Sequence, residues 1–301
     1  MLLAFIQCLR PKQWTKNVLV LAGIVFAQRY DEPRLVFNAA LAFAVFCALS
    51  GVVYIVNDIA DVAQDRQHPK KRKRPIAAGR IDARAAAAGA VLLTLASLLV
   101  SLALLPFNFL VLAIVYLALV SAYSFHLKHM VLMDILILAV GFVIRALAGV
   151  EAIAIDPSNP VPVTSYFLLT TLFLALFLAT AKRRSEIVNL GDSAADHRKV
   201  LGDYSREFLD TALTIATAGT IFSYALWTTQ GQFAETSRGE PSYLMALTMP
   251  FVVYGLLRYL WLAYRQGEGG EPEQLLLSDR PLLGAVLLWV LSVAAILLTL
   301  K

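Results

Sequence analysis

Four polar residues follow a long apolar stretch at a spacing that suits the binding of a divalent cation. Asn57, Asp61 and Asp65 stand four residues apart, and Asp58 lies between the first two. If a helix continues through them, all four side chains lie on one broad face. Carboxylates so close together repel each other at a membrane boundary, and a cation removes the repulsion. Mg²⁺ prefers carboxylate oxygens and bridges to phosphate, so we predict a Mg²⁺ site here. The alternative is a solvated acidic helix end.

A strongly basic loop comes directly after this acidic cluster. Seven Arg and Lys residues lie between positions 66 and 80. A metal ion together with basic side chains is a common arrangement for clamping a phosphate or a diphosphate. A run that only anchors the loop at the cytoplasmic face is the alternative, and it stays open. From the two segments we take Asp58 and Asp61 as candidate catalytic residues, and Arg66, Lys70, Arg72 and Arg74 as candidates for binding substrate.

Further candidates stand at the ends of other apolar stretches. Lys128 is the only Lys or Arg of its short loop, so topology leaves it available for a phosphate, and Tyr123 nearby can donate a hydrogen bond. Lys182 and Glu186 stand four residues apart, so a simple surface pair is the alternative to a phosphate site there. The complete set of further substrate-binding candidates is Lys16, Asn17, Tyr123, Lys128, Arg145, Lys182, Arg183, Glu186 and Tyr204, of which Lys128 and Lys182 are also candidate catalytic residues.

The elements that carry these residues are predicted to be membrane-spanning helices. Of the 301 residues, 59% are apolar and only 16% are charged, whereas soluble domains average about 45–50% and 25%. A span needs about 20 mostly apolar residues, and Leu-, Ala- and Val-rich stretches of this length exclude barrel strands. We predict an all-α polytopic protein with one domain over residues 1–301 and nine spans near residues 15–28, 35–57, 84–104, 107–124, 131–149, 163–181, 207–228, 242–264 and 282–300.

The basic residues predict the orientation of these spans. With the N-terminus inside, 19 of the 26 Lys and Arg residues lie in cytoplasmic segments and four lie outside. This bias predicts a cytoplasmic N-terminus, an external C-terminus and a cytoplasmic active face. The net charge of +5 follows from this topology, so we infer no nucleic-acid partner. A transporter would need polar residues at mid-membrane, where only Asp134 and Arg145 lie.

Together these segments resemble the UbiA superfamily of membrane prenyltransferases over nearly the whole chain. The first motif of that superfamily, Asn-Asp-x-x-Asp-x-x-x-Asp, stands here as residues 57–65 without a mismatch. Within the superfamily, the chain is most similar to the decaprenyl-phosphate phosphoribosyltransferases. The strings that carry this likeness are Arg10-Pro-Lys-Gln-Trp-Thr-Lys-Asn17, the loop from His68-Pro to Ile-Ala-Ala-Gly79, Tyr123-Ser-Phe-x-Leu-Lys-His129 and Lys182-Arg-x-x-Glu186.

One departure from the superfamily pattern affects the expected substrate. Aromatic prenyltransferases carry a second Asp-rich motif, often Asp-x-x-x-Asp, on the sixth span or its loop. This chain has Lys182, Arg183, Arg184 and Glu186 there, with Asp192 and Asp196 further on, so a second carboxylate pair for a metal is not obvious. The resemblance therefore implies Mg²⁺-dependent transfer of 5-phosphoribose from phosphoribosyl diphosphate to a polyprenyl (decaprenyl) phosphate in the inner cell membrane, as a step toward arabinose-containing envelope glycans. Transfer of a prenyl group to an aromatic or other acceptor is the alternative. Membrane lipid would surround the protein, and the oligomeric state, a homo-oligomer included, stays open.

Overall fold

The computed structural model describes residues 2–67, 71–156, 161, 164–191, 199–230, 233, 242–265, 270 and 272–300. Every regular element within these residues is a helix. The α-helices are α1 (Leu2–Cys8), α2 (Ala22–Phe26), α3 (Pro33–Ala60), α4 (Val62–Gln67), α5 (Ala83–Leu104), α6 (Phe107–Phe125), α7 (Met133–Glu151), α8 (Ser165–Leu190), α9 (Arg206–Gln230), α10 (Met249–Arg265), α11 (Pro272–Ser278) and α12 (Arg280–Leu300). Shorter 3₁₀ segments lie at Pro11–Leu21, Lys71–Lys73, Leu127–His129, Lys199–Asp203 and Leu244–Thr248.

Eight helical segments of the described chain are long and apolar enough to cross a membrane. They are α3, α5, α6, α7, α8, α9, the segment Leu244–Arg265 that includes α10, and α12. They correspond to the last eight predicted spans, which confirms the all-α, multi-pass class.

The first predicted span, near residues 15–28, is built differently from the prediction. The structure has a 3₁₀ helix over Pro11–Leu21 followed by the five-residue α2, instead of one continuous α-helix. A 3₁₀ helix rises about 2 Å per residue and winds more tightly than an α-helix. Apolar composition is shared by both kinds of helix, so it could not have distinguished them. The count of nine spans is therefore not confirmed.

The chain divides into two compact units. The first contains Met1–Phe125 and Ile144–Val161, and the second contains His126–Val143 and Pro162–Lys301. The prediction of a single domain stays a prediction.

In the first unit, α3 packs against α5, α6 and the 3₁₀ helix Pro11–Leu21. One core cluster joins Cys8 of α1, Ile55 of α3 and Ile76 of the basic loop, together with Ile81 and Ala86. Burial of such side chains contributes roughly 1.5–3 kcal/mol each, so this cluster fixes the loop to the cytoplasm-directed end predicted for α3.

In the second unit, α8 packs along α9, and α10 packs against α12. Phe177, Leu213, Leu256 and Tyr259 belong to one core cluster that joins α8, α9 and α10. These helices carry the second group of candidate site residues, so their packing decides where those side chains lie.

Local sequence signals explain where two of the spanning helices begin. Pro33 opens α3, where its fixed φ suits the first turn and its missing N–H is not needed. Asp82 caps α5, because its carboxylate accepts hydrogen bonds from the backbone N–H groups of Arg84 (2.9 Å) and Ala85 (3.3 Å). This cap satisfies two of the donors that a helix start leaves without a partner.

A close backbone approach in the first unit requires glycine. A Cβ atom at Gly149 would lie 1.9 Å from the carbonyl oxygen of Val20. A Cβ atom at Gly23 would lie 2.8 Å from the backbone of Gly149. The N-terminal 3₁₀ segment and α7 therefore touch backbone to backbone, as small residues permit in membrane proteins.

We expect Gly149→Ala to lower the stability of the protein by about 1–3 kcal/mol, because the backbone must shift to admit the methyl group. The measurement is thermal unfolding in detergent. Gly284→Ala is the matched control, since nothing lies within 4 Å of a Cβ there. Equal effects of the two substitutions would contradict the proposed backbone contact.

Candidate active site

The acidic cluster lies at a break between two helices. Helix α3 ends at Ala60, Asp61 joins the helices (φ −94°, ψ 6°), and α4 begins at Val62. The helix therefore does not continue unbroken through the cluster. The four-residue spacing survives, because the N–H of Asp61 donates to the carbonyl of Asn57 (2.9 Å) and that of Asp65 donates to the carbonyl of Asp61 (2.9 Å). The cluster thus keeps much of the predicted common face.

Two of the four candidate metal ligands are buried and share a positive partner. The side chains of Asp58 and Asp65 are each 2% exposed. Arg74 Nη1 lies 3.1 Å from Asp58 Oδ1 and 2.6 Å from Asp65 Oδ2. Arg10 Nη2 donates to the same Asp58 oxygen at 2.5 Å. Because unpaired buried charges are very costly, these guanidinium groups are what allow both carboxylates to be buried.

The two arginines are held in place by their surroundings. Arg74 is followed by Pro75, Ile76 and Ala77, which are all buried in the first unit. Arg10 has a left-handed backbone (φ 50°), and its guanidinium lies 4.6 Å from the centre of the Tyr54 ring. A non-glycine residue with this backbone costs of order 1–3 kcal/mol and persists only where contacts enforce it. The ion pair to Asp58 and the ring contact supply such enforcement.

The remaining candidates of the acidic and basic segments have different surroundings. Asn57 and Asp61 are half-buried, and Arg72 is exposed on the 3₁₀ turn Lys71–Lys73. Arg66 Nε donates to the carbonyl of Ala77 at 3.3 Å. The prediction for Lys70 lies outside the described residues. Arg72 is therefore open to solvent, whereas Arg66 contributes to holding the loop.

The donor chemistry of this cluster fits a hard divalent cation. Oxygen ligands from carboxylates and an amide are those that Mg²⁺ takes. Among the described residues, no three His, Cys, Asp or Glu side chains lie together as a ready-made metal site. In this conformation Arg74 Nη1 stands in for a shared cation, since one positive nitrogen contacts both carboxylates. A metal on the same two oxygens would have to displace it.

The neighbouring thiol is poorly suited to ligating a metal. Cys8 lies in the same core cluster as Ile55 and is fully buried. Burial raises the pKa of the Cys8 thiol above its usual value, and the nearby charge of Asp58 adds to this. A protonated thiol is a weak ligand, because metals bind the thiolate.

A second polar network in the first unit contains two of the predicted residues. Arg145 Nε donates to Asn17 Oδ1 (2.9 Å), and Arg145 Nη2 donates to the hydroxyl of Tyr116 (2.7 Å). Asn17 Nδ2 in turn donates to Ser50 Oγ (3.1 Å) and lies 3.4 Å from Cys47 Sγ. The structure therefore brings Asn17 and Arg145 together, a pairing that their distance in sequence did not reveal. Ionisable groups inside spans are usually functional or paired in this way.

In the second unit, Arg183 forms the centre of a buried ionic group. Arg183 Nε lies 2.8 Å from Asp134 Oδ2, with the two side chains 3% and 0% exposed. Arg183 Nη1 also pairs with Glu186. Glu186 thus has Arg183 as an ionic partner, where the sequence had indicated Lys182. Lys182 itself is exposed, and Lys128, on the 3₁₀ turn Leu127–His129, is half-buried.

Tyr204 belongs to the same buried group. Its hydroxyl donates to Asp134 Oδ1 at 2.6 Å. Burial, and then this hydrogen bond, raise the pKa of Tyr204 above its usual value, so the hydroxyl stays protonated at neutral pH. Tyr204 is accordingly a hydrogen-bond donor in this site. Tyr123, which is half-buried, lies in the first unit.

Two arginines contribute more than the sequence indicated. Arg10 was not among the candidate site residues, although the Arg-Pro step before the first apolar stretch signals a constrained position. Arg184 had been assigned no role. It is 1% exposed, pairs with Asp210, donates to the carbonyl of Ala263 (2.8 Å) and lies 4.1 Å from the centre of the Tyr264 ring. It therefore ties α8 to α9 and α10.

A sequence model of the UbiA prenyltransferase family matches residues 17–278. The chain belongs to the UbiA prenyltransferase family.

Curated relatives extend the match over nearly the whole of this UbiA chain. The decaprenyl-phosphate phosphoribosyltransferase of Corynebacterium glutamicum is 39% identical over 293 residues, covering 96% of this chain and 85% of that protein. Proteins of the same name from Mycolicibacterium smegmatis and Mycobacterium tuberculosis are 37% and 35% identical, with 96% of this chain covered and 91% and 93% of theirs. The family and these relatives identify the chain as a multi-pass membrane transferase.

Solved structures share the fold at lower identity. A UbiA homolog from Archaeoglobus fulgidus bound to GPP and Mg²⁺ gives a TM-score of 0.68 at 17% identity, with 98% of this chain and 99% of that chain covered. A digeranylgeranylglyceryl phosphate synthase gives 0.62 at 15% identity, with 99% and 96% covered. These likenesses establish the UbiA fold, in agreement with the predicted fold class.

We expect Asp134→Asn to destabilise the protein by about 3–5 kcal/mol, because the buried Arg183 keeps only the partly exposed Glu186 as a carboxylate partner. Chemical unfolding in detergent measures this. Asp203→Asn is the control, since Asp203 is exposed and surface changes typically alter stability by less than about 0.5 kcal/mol. An Asp134→Asn variant as stable as the Asp203→Asn control would contradict the role of the pair.

Proposed function

We propose that this UbiA protein transfers 5-phosphoribose from phosphoribosyl diphosphate to a polyprenyl phosphate and releases diphosphate. The observation that carries the proposal is the near-full-length similarity, at 35–39% identity, to proteins named decaprenyl-phosphate phosphoribosyltransferase. The name of these relatives supplies the donor and acceptor classes.

The acidic cluster of the first unit supports a role at the diphosphate. We propose that Asn57, Asp58, Asp61 and Asp65 hold Mg²⁺, as the oxygen donors suit this ion and a solved relative of the same fold contains it. The metal, when bound, would neutralise the charge that develops on the departing diphosphate. Arg10 and Arg74 already lie against the carboxylates, so their guanidinium groups are available for the same leaving group once a metal replaces them.

The proposed reaction requires little acid–base catalysis from the protein. When the diphosphate leaves, the bond between its oxygen and the anomeric carbon breaks and the ribose acquires oxocarbenium character. An oxygen of the lipid phosphate then forms the new bond. This oxygen is already an anion, so no strong general base is required. The protein contributes by orienting the anions and by stabilising the negative charge of the leaving group.

The remaining candidates support binding of the other phosphate groups. We propose Lys128 and Lys182 of the second unit, and Lys16 and Tyr123 of the first, as contacts for the lipid or ribose phosphate. In the basic loop we propose Arg66, Lys70 and Arg72 for the diphosphate donor. Asn17 and Arg145, which bind each other, are proposed to orient the bound sugar. Arg183, Glu186 and Tyr204 form a buried hydrogen-bonded group, so we propose that they act on substrate by positioning the residues around them.

The same proposal includes a location and a place in metabolism. We propose an inner-membrane location. The distribution of Lys and Arg favours an N-terminus and an active face in the cytoplasm, where a water-soluble sugar diphosphate is available. The product is a lipid-linked ribose phosphate. Such a product suits a route to arabinose-containing envelope glycans.

Transfer of labelled ribose phosphate into lipid tests the proposal. Purified protein in detergent is mixed with Mg²⁺, radiolabelled phosphoribosyl diphosphate and a polyprenyl phosphate, and then extracted with organic solvent. We expect label in the lipid phase, and we expect Asp61→Ala or a chelator to abolish it, because the leaving diphosphate loses its metal. Asp203→Asn, an exposed carboxylate outside the cluster, should retain activity.

The competing hypothesis is prenyl transfer to an aromatic or other acceptor, which the fold likeness to a GPP-bound UbiA homolog favours. Folded wild-type protein that leaves the lipid phase unlabelled, but consumes a prenyl diphosphate in the presence of such an acceptor, would replace the phosphoribosyl proposal with this one.

A metal-binding measurement tests the role of Arg74 without relying on turnover. We expect Arg74→Gln to bind Mn²⁺, used as a paramagnetic substitute for Mg²⁺, about tenfold more tightly than the wild type, because the guanidinium no longer competes for Asp58 and Asp65. Binding is followed by electron paramagnetic resonance. Arg72→Gln removes the same charge from an exposed position of the same loop and should have a much smaller effect. Equal effects would mean that only net charge matters.

A further inference from the structure

The turn that carries Lys128 contains a strained residue at its far end. The turn begins with the 3₁₀ segment Leu127–His129 and leads into α7 through Leu132. Leu132 has a φ of 67°, in the left-handed region. Only glycine enters this region without steric cost, and a leucine there needs contacts that enforce the conformation.

The side chain of Leu132 does not supply that enforcement. It is 49% exposed, so it packs only partly against the protein. Its carbonyl accepts hydrogen bonds from the N–H groups of Ile135 (3.1 Å) and Leu136 (2.8 Å), which begins α7. These bonds fix the residue on its helical side, and the N–H of Asp134 donates to the carbonyl of Met130 (3.2 Å) across it. The N–H group of Leu132 is a further point at which the turn is held.

The N–H group of Leu132 donates to the hydroxyl of Tyr204 at 2.7 Å. The same hydroxyl donates its own proton to Asp134 Oδ1 at 2.6 Å, and Asp134 is in turn paired with Arg183. The tyrosine oxygen is therefore fixed by one hydrogen bond received and one given. The ring is fixed as well, because it is buried in the cluster with Ile135, Ala179, Val200 and Leu209.

We propose that Tyr204 is a positioning residue that clamps the strained backbone of Leu132 and thereby holds Lys128 in place for the phosphate of the lipid substrate. The role of Lys128 rests on the proposed function, whereas the clamp itself rests only on these contacts. Tyr204 lies directly after the 3₁₀ segment Lys199–Asp203, which contacts the Lys128 turn within the same unit. The clamp thus links two segments that are far apart in sequence.

The alternative is that Tyr204 contacts the substrate itself. Its hydroxyl proton is already committed to Asp134, and one of its lone pairs is committed to the N–H of Leu132. A substrate phosphate, which only accepts hydrogen bonds, could take the hydroxyl proton only by breaking its bond to Asp134. The two roles therefore predict different kinetics for a variant that lacks the hydroxyl.

Hydrogen–deuterium exchange of the full-length protein tests the clamp independently of activity. Tyr204→Phe keeps the buried ring and removes only the hydroxyl. We expect faster exchange in peptides covering residues 126–135, because the Leu132 N–H loses its acceptor. Tyr243→Phe is the matched control, since Tyr243 is exposed and should leave these peptides unchanged. Wild-type exchange in Tyr204→Phe would overturn the clamp.

Kinetics with a rescue variant test what the clamp does for the reaction. Tyr204→Phe should raise KM for polyprenyl phosphate roughly five- to tenfold, as expected for the loss of one positioning hydrogen bond, with kcat changed less than about twofold. Leu132→Gly removes the strain at little cost in packing, so the double variant should recover most of the wild-type KM. A fall in kcat without a change in KM, or no rescue by glycine, would overturn the positioning role.

The transfer assay and the tests of the clamp can fail independently, so they distinguish the proposed function from the proposed role of Tyr204. If wild-type protein transfers no label to lipid, the proposed function fails, and the exchange experiment still decides whether Tyr204 holds the turn. If label is transferred but Tyr204→Phe neither loosens the turn nor weakens lipid binding, the clamp fails and the proposed function stands.

Discussion

The burial of charge in an apolar protein is the constraint on which the rest of this structure depends. An isolated carboxylate or guanidinium is very costly away from water, so each buried one needs a partner. In the first unit, Asp58 and Asp65 meet Arg74; in the second, Asp134 meets Arg183. Each pair joins segments that are separate in sequence. The polar residues that suit catalysis therefore also hold the helices together.

The basic residues fall into two groups, those that hold helices together and those that are open to substrate. Arg183 and Arg184 are nearly fully buried and engaged by carboxylates, which suits a structural or positioning role. Lys182 and Arg72 are exposed, which suits contact with a soluble or lipid phosphate. Arg74 is intermediate, because it is part-buried and its carboxylate partners are the predicted metal ligands. Solvent exposure thus distinguishes basic residues with different roles that the sequence alone could not tell apart.

Much of the architecture could be predicted from sequence because it depends on local composition. Runs of about 20 apolar residues predict spanning helices, and eight of the nine predicted runs are such helices in the described chain. The span predicted near residues 15–28 is not confirmed: the structure has a 3₁₀ helix followed by a short α-helix there, and composition does not distinguish the two kinds of helix.

The candidate site was predictable to a smaller extent, because its contacts join residues that are far apart in sequence. The acidic string from Asn57 to Asp65 is local, so its residues could be named. The partners of its members are distant, and no local pattern showed that Arg10 would meet Asp58 or that Arg145 would meet Asn17. The break at Asp61 was also missed, because the four-residue spacing continues across it. Contacts between residues that are distant in sequence could be identified only from the structure.

The buried group around Asp134 restricts how this protein can evolve. Replacing Asp134 alone removes one of the two carboxylate partners of Arg183. Replacing Arg183 alone leaves the carboxylates of Asp134 and Glu186 without the cation that both contact. Each single substitution passes through an unfavourable intermediate, so lineages should change these positions together or keep them. Tyr204 shares the restriction, because its hydroxyl has a donor and an acceptor to satisfy. Natural variation in this unit should therefore be concerted at these three positions and independent at the exposed Lys71–Lys73 turn of the other unit.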